Sequence, residues 1–274
     1  TATATLIDKI VVGLTCVIPI YIVVFTVGGL TEVLFAIIRK HEVNEGFLVT
    51  GFLIPLVMPP SIPLWMVAVS TVFGVVIGKE IFGGTGYNIF NPALVARVFA
   101  FFAYPTAMSG DTVWVWKMPE SDGLTAATSL LASAKESITN INTSDYGIFN
   151  FLNGSLHNQF VDSGNYLGYA HTNVDLSWIS LFMGAIPGSI GETSTLAVMM
   201  GAFLIAITGV GSRRVVIGTT LGMVFTSFLL YFFGSLIGST NPMMYMPPHY
   251  HYVMGSFAFA MIFMATEPVT SAHT

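Results

Sequence analysis

The amino-acid sequence predicts an all-helical, polytopic membrane protein. Of its 274 residues, 54% are apolar and only 8% are charged, and the mean hydropathy is +0.76. Soluble domains carry about 25% charged residues, and disordered chains are poor in apolar residues, so the composition disfavours the first class and excludes the second. Residues 10–31 also form one uncharged apolar run, and a helix needs about 20 such residues to cross a bilayer.

The first half of the sequence contains five predicted segments. The first three are an apolar span over 10–31 that can continue to Arg39, a short apolar segment over 51–58 and a span over 62–78. A non-helical stretch over 82–92 and a short helix over 92–103 follow. Pro59-Pro60 closes the short segment, because proline lacks an N–H and restricts the residue before it. Lys79-Glu80 ends the second span. Pro92 suits the first position of a helix, where the missing N–H costs nothing.

The second half repeats this order. It contains a short apolar segment over 178–186 that is broken at Pro187-Gly188, a full-length span over 194–210, a span over 215–238 and an apolar segment over 253–266. A short helix, a proline break and a full helix therefore occur twice. This order is typical of an inverted repeat with broken helices near the midplane, where membrane proteins bind ions and substrates.

The distribution of charge predicts three regions and their sides of the membrane. Residues 106–176 contain seven acids and two bases, which account for the whole net charge of −5. The basic pairs Arg39-Lys40 and Arg213-Arg214 end apolar segments, and short basic loops remain in the cytoplasm. We therefore expect a first membrane repeat over 1–105, an acidic outer segment over 106–176 and a second membrane repeat over 177–274. Because the sequence begins at Thr1 rather than methionine, we also expect it to be a fragment of a longer chain.

Glu32 is the most informative single residue, because an ionised carboxylate at membrane depth costs about 3 kcal/mol on insertion scales. It either lines an ion pathway or lies in the interface near the cytoplasm. Gly28 and Gly29 precede it and are equally compatible with helix packing. The glycine-rich stretch before Pro92 contains Asn88 and Asn91, which could hydrogen-bond a planar polar ring, although its glycines have an equally plausible structural use.

Other candidate sites carry weaker signals. His249 and His251 lack a third nearby ligand, so no metal site is expected. Cys16 is the single cysteine and cannot form an intrachain disulfide. Nine basic residues among 274 do not form a nucleic-acid-binding patch. Local chemistry predicts only a turn and a helix start over 122–128.

Five segments together resemble a known family, the B-type membrane subunits of the sodium-translocating NADH:quinone reductases. They occur in the expected order and lie at residues 27–35, 39–47, 79–93, 101–111 and 186–192. The resemblance extends from about residue 10 to residue 272. It implies part of a ten-helix, urea-transporter-like fold, with an N-terminal extension and C-terminal helices that this sequence lacks.

The resemblance implies a covalent flavin in the acidic segment. In the family, FMN is attached through its phosphate to the last threonine of an Asp-x-x-Ser/Thr-Gly-Ala-Thr motif. Asp122, Thr125, Ala127 and Thr128 match this motif, which makes Thr128 the implied phosphoester residue. Ala126 replaces the usual glycine, and a methyl group there disfavours positive φ.

The resemblance also assigns roles to the residues at membrane depth. Asn88 and Asn91 match asparagines that contact a non-covalent riboflavin in the family. Gly28 and Gly29 match glycines associated with quinone binding, and Glu32 matches an acid implicated in sodium uptake. The implied protein is a redox-driven sodium pump that passes electrons from NADH, through flavins, to a quinone.

The implied location is the bacterial inner membrane, with residues 106–176 on the periplasmic side. The implied partners, besides the lipid bilayer, are an NADH-oxidising flavoprotein, a second subunit with covalent FMN, small membrane subunits and a flavin transferase that matures the complex. No nucleic acid is expected.

Three alternatives remain open at this stage. The D-type membrane subunit of the related ferredoxin:NAD oxidoreductase shares the flavin motif, although residues 39–47 favour the quinone reductase. A passive channel or secondary transporter for a small polar solute would also have an inverted repeat. A cofactor-free scaffold subunit is favoured by Ala126 alone. Covalent flavin distinguishes the redox subunits from the last two classes.

Overall fold

The computed structural model describes residues 6–40, 42, 45–108, 113, 178–184, 188–239 and 242–271. Every regular element in these ranges is helical, which confirms the predicted fold class. Within the described ranges, three helical segments are long and apolar enough to cross a membrane, and they lie at Ile10–Arg39, Leu64–Phe82 and Arg213–Ile237. The predicted flavin motif with Asp122, Thr125 and Thr128 lies outside the described residues, as does most of the acidic segment 106–176.

The chain divides into two compact units. The first comprises Thr1–Leu124 with Ser189–Gly191, and the second comprises Thr125–Gly188 with Glu192–Thr274. The helices of the first unit are α1 (Leu6–Arg39), α2 (Gly46–Leu56), α3 (Leu64–Gly78), α4 (Pro92–Ala103) and α5 (Pro105–Met108), with a 3₁₀ turn at Glu80–Phe82. Helix α1 continues past Glu32 to Arg39, which is the longer of the two lengths that the sequence allows.

Helices α1, α2, α3 and α4 pack against one another in the first unit. Aromatic rings of α1 and α2 form one contact, in which the ring of Phe25 lies 5.1 Å from Phe52 and 6.1 Å from Phe47. Helices α3 and α4 approach closely at Gly74, where a Cβ atom would lie 2.6 Å from the Ala96 Cβ. The predicted helix over 92–103 begins and ends at the predicted residues.

The second unit contains α6 (Trp178–Met183), α7 (Thr195–Thr208), α8 (Arg213–Ile237), α9 (Pro248–Val253) and α10 (Phe257–Phe259), with a 3₁₀ turn at Pro242–Tyr245 and a π-helical turn at Ala260–Met264. Leu181 of α6 packs with Met246, Tyr250 and Val253 in a small apolar core. The predicted span over 215–238 corresponds to α8.

Two elements of the second unit differ from the predicted spans. Helix α7 has 14 residues, which is about 21 Å at 1.5 Å per residue, so it is shorter than the full-length span predicted over 194–210. It ends because Gly209 adopts a left-handed conformation with φ +69°. The apolar segment over 253–266 is broken as well, since Gly255 has φ +69° and separates α9 from α10.

Candidate functional site

Glu32 lies in the interior of the first unit and is paired with a base. Its side chain is only 5% exposed, and its Oε1 accepts a hydrogen bond of 2.6 Å from the Nζ of Lys79, whose side chain is 3% exposed. The two residues belong to different segments, because α1 carries Glu32 and Lys79 follows directly after α3. Packing of α1 against α3 therefore assembles the pair.

The end of α3 explains the position of Lys79. The helix ends at Gly78, and Lys79 leaves helical geometry with φ −134° and ψ −59° while its N–H still bonds the carbonyl of Val75. Gly78 permits α3 to lie close to α4, since a Cβ there would be 3.0 Å from the Pro92 Cα. The chain then turns into residues 80–91.

A second pair of opposite charges follows in the chain. The Arg39 Nη1 lies 3.6 Å from the Glu80 Oε2, and the Arg39 Nη2 donates a hydrogen bond to the Glu80 carbonyl. The guanidinium carbon of Arg39 also lies 5.5 Å from the centre of the Phe35 ring, at a distance typical of a cation–π contact. Glu80 is buried. The four charges of Glu32, Lys79, Arg39 and Glu80 therefore cancel.

Buried pairs of this kind are sensitive to the loss of one partner. Removal of one charge leaves the other uncompensated, at a cost of about 3–5 kcal/mol. Sequence reasoning identified Glu32 but interpreted Lys79-Glu80 only as the end of a span. The sequence did contain a signal for these pairs, since Lys79 and Glu80 follow directly after an apolar run. Charged residues so close to the membrane need partners of opposite charge.

Gly28 lies one helical turn before Glu32, and the structure supplies a packing role for it. A Cβ at Gly28 would lie 2.5 Å from the Phe47 Cζ and 3.1 Å from the Thr71 Cγ2, so α1 contacts α2 and α3 closely at this residue. Gly29 has more space, since its Cβ would lie 3.8 Å from the Phe47 Cε1. Of the two glycines expected near a quinone, Gly29 has the more open surroundings.

The glycine-rich stretch after Phe82 is a series of tight turns. Gly83, Gly84 and Gly86 have φ of +125°, +96° and +93°, which side chains larger than hydrogen rarely tolerate. The N–H groups of Gly83 and Gly84 bond back to the carbonyls of Glu80 and Lys79. The turn that contains the two asparagines is therefore anchored directly to the residues of the charged pairs.

The two asparagines have different local roles. The Asn91 Oδ1 caps α4 by accepting hydrogen bonds from the N–H groups of Ala93 and Leu94, at 3.0 and 3.3 Å. The Asn88 Nδ2 donates to the Phe90 carbonyl at 3.2 Å. Both asparagines are 7% exposed. Their amides therefore shape the turn whether or not they also contact a ligand.

An apolar groove of about 750 Å³ begins at the end of this turn, between α3 and α4. Phe90 and Asn91 line one end, and Phe73, Phe99 and Phe102 line much of the remainder. Within the turn, the Thr85 hydroxyl is buried without a hydrogen-bond partner in the described part of the chain. The aromatic lining suits the apolar face of a planar ring, and of Asn88, Asn91 and Thr85 the groove is lined by Asn91.

The second unit contains a cavity of about 640 Å³ between α6, α7, α8 and α9. Its lining is mainly apolar, with Arg213 and His249 among the polar exceptions. His249 is exposed and lies beside the Tyr250 ring, while its carbonyl accepts a hydrogen bond from the Trp178 Nε1. Among the described residues, no three metal-ligating side chains of the His, Cys, Asp or Glu type are grouped together.

The family model and the individual relatives that match this chain indicate the same family. The model of the NQR2, RnfD, RnfE family matches residues 1–274. The chain is 47% identical over 267 residues to the B-type subunit of the Na(+)-translocating NADH-quinone reductase from Ectopseudomonas mendocina (strain ymp), which is 97% of this chain and 57% of that relative. It is 45% identical over 267 residues to the corresponding protein of Yersinia pestis, with the same coverage of both chains.

A third relative is the protein of the same name from Chromohalobacter salexigens, which is 46% identical over 264 residues and matches 96% of this chain and 55% of the relative. The chain thus spans little more than half the length of the curated relatives it matches. The family match nevertheless covers every segment that suggested the resemblance. The chain belongs to the NQR2, RnfD, RnfE family.

Proposed function

We propose that this chain forms part of the B-type membrane subunit of a sodium-translocating NADH:quinone reductase, a redox-driven sodium pump. The observation that carries the proposal is the 47% identity, over 97% of the chain, to a protein of that name. The buried Glu32–Lys79 pair supports it, because ionisable groups at membrane depth typically mark ion pathways.

The sodium ion would enter the protein near Glu32. A carboxylate in a low-dielectric interior binds a cation far more strongly than it does in water, and the packing of α1 on α3 excludes water from Glu32. The quinone would bind near Gly28 and Gly29. Gly29 would form the open part of this region, because Gly28 is covered by Phe47.

This chain would bind two flavins, one covalently and one non-covalently. FMN would be joined through its phosphate to the Thr128 hydroxyl oxygen, within the motif that includes Asp122 and Thr125. Riboflavin would lie against the turn with Asn88 and Asn91, near the apolar groove between α3 and α4 whose lining includes Phe90 and Asn91. When bound, the flavins supply the electron transfer that the amino-acid side chains lack.

The complex would lie in the bacterial inner membrane, with residues 106–176 on the periplasmic side. Electrons from NADH would arrive through an NADH-oxidising flavoprotein and a second subunit with covalent FMN, and small membrane subunits would complete the assembly. A flavin transferase would modify Thr128 after synthesis.

The attachment of FMN tests this proposal directly. We expect this chain, denatured from the purified complex, to show flavin fluorescence in a gel, and the Thr128→Ala variant to lose it. Ser129→Ala is the matched control, because it removes the neighbouring hydroxyl and should retain the signal. Fluorescence that persists in Thr128→Ala, or is absent from the wild type made together with a flavin transferase, would contradict the proposal.

A further inference from the structure

The interaction of Glu32 with Lys79 raises the question of how a third ion could reach the carboxylate. Within the residues that the structure describes, the Glu32 Oε1 is the hydrogen-bond acceptor of the Lys79 ammonium. An ammonium has three N–H donors, and the described hydrogen bond uses one of them. The ammonium is therefore held less tightly than it would be by three hydrogen bonds. Both side chains are almost fully buried, and the ammonium already occupies the position from which a cation would neutralise Glu32.

The two bases of this region are held very differently. Arg39 bonds the Glu80 carbonyl, lies near the Glu80 carboxylate and faces the Phe35 ring. Lys79 has a flexible four-carbon chain with a compact charge, and its side chain has the single described contact with Glu32. Lys79 is therefore the base that can leave its partner while Arg39 remains in place.

The balance of charge also requires such a departure. The four buried or partly buried charges of Glu32, Lys79, Arg39 and Glu80 sum to zero. A sodium ion that joined Glu32 while Lys79 remained would add an uncompensated positive charge to a low-dielectric interior. Exchange of the ammonium for Na⁺ at the same oxygen keeps the interior neutral when the released Lys79 ammonium swings out to water on its four-carbon chain.

We propose that Lys79 is a tethered cation that competes with Na⁺ for Glu32. Its ammonium neutralises the Glu32 carboxylate when the site is empty, and it leaves Oε1 before sodium binds there. The inference rests on the proposed function, since it requires Glu32 to lie on the sodium pathway. It adds a residue, Lys79, that sets the sodium concentration at which the pump works.

The test is the sodium dependence of quinone reduction by the purified complex. If the pair is closed about 90% of the time, Lys79→Gln removes the competitor and lowers the half-saturating sodium concentration about tenfold. Lys79→Arg should raise this concentration, because a guanidinium can pair with a carboxylate through two hydrogen bonds. A purely structural role for Lys79 would reduce stability and turnover in both variants without these opposite shifts.

Arg39→Gln is the matched control, because it removes the same charge from the neighbouring pair. We expect it to change the half-saturating sodium concentration far less than Lys79→Gln does. Equal shifts in the two variants would overturn the inference in favour of a general electrostatic effect. Unchanged sodium dependence in both Lys79→Gln and Lys79→Arg would also overturn it, and Lys79→Arg provides this measurement even where Lys79→Gln fails to assemble.

Glu32→Gln separates this inference from the function on which it rests. If Glu32→Gln and both Lys79 variants leave the sodium dependence unchanged, the proposed sodium pathway through Glu32 is wrong, and the inference fails with it. If Glu32→Gln changes the sodium dependence and the Lys79 variants do not, the pathway stands and only the competition by Lys79 is wrong.

Discussion

Two buried polar side chains of the first unit support its structure and are also proposed ligands. Glu32 requires Lys79 for burial, yet the same carboxylate is the proposed sodium ligand. Asn91 caps α4 through its carbonyl oxygen and belongs to the proposed riboflavin site. Substitutions at such residues change structure and binding together, so useful variants must retain one role while removing the other.

Asn91 offers such a separation. Serine caps helices about as well as asparagine does and is uncharged, whereas alanine loses about 1 kcal/mol of stability at this position. We expect Asn91→Ser to retain the thermal midpoint of the purified complex but to lose non-covalent flavin, because it lacks the amide donor. Asn91→Ala should lower both the thermal midpoint and the flavin content. The measurements are flavin extracted per complex and thermal unfolding, and full flavin content in Asn91→Ser would show that the amide does not bind the flavin.

The helices of the first unit are positioned by residues that permit close approach. Gly74 of α3 lies against Ala96 and the Pro92 carbonyl of α4, while Gly28 of α1 lies under Phe47 of α2. A side chain from α4 adds a further connection, since the Arg97 Nη1 donates to the Val57 carbonyl and lies 3.0 Å from the Ser189 Oγ. The spacing of α1, α3 and α4 therefore determines where Lys79 and the asparagine turn lie.

Gly74→Ala tests the close contact of α3 with α4. The added methyl group would lie 2.7 Å from the Pro92 carbonyl, and overpacking of this kind typically costs about 1–3 kcal/mol, so we expect a loss of that size. Gly13→Ala in α1 is the matched control, since nothing lies within 4 Å of the new methyl group. Thermal unfolding of the two variants should differ, and equal stability would contradict the close packing.

The described helices have the surface of a membrane protein. In the most apolar 18-residue stretch of α1, only 17% of the residues are buried within the chain, and in that of α8 only 11% are buried. Large apolar side chains such as Ile22, Leu30 and Phe225 remain exposed. In a bilayer these side chains contact lipid tails or neighbouring helices, which removes the cost that water would impose on them.

The proposed orientation can be measured on intact cells. In a Cys16→Ala background, we expect Ser121→Cys in the acidic segment to react with a membrane-impermeant maleimide applied from the periplasmic side. Glu42→Cys should react only after the membrane is opened, because the basic residues beside it favour the cytoplasm. The reverse pattern of labelling would place the acidic segment in the cytoplasm and contradict the orientation.

Local signals in the chain were sufficient to predict most of the helices. The charge-free run to Thr31, the closing prolines and the Asn91-Pro92 start of α4 act over a few residues, so they are visible without a fold. The Glu32–Lys79 pair was not predictable in this way, because its members are 47 residues apart in sequence. The packing of α1 on α3 brings them together, and the packing of α1 on α2 covers Gly28 with Phe47.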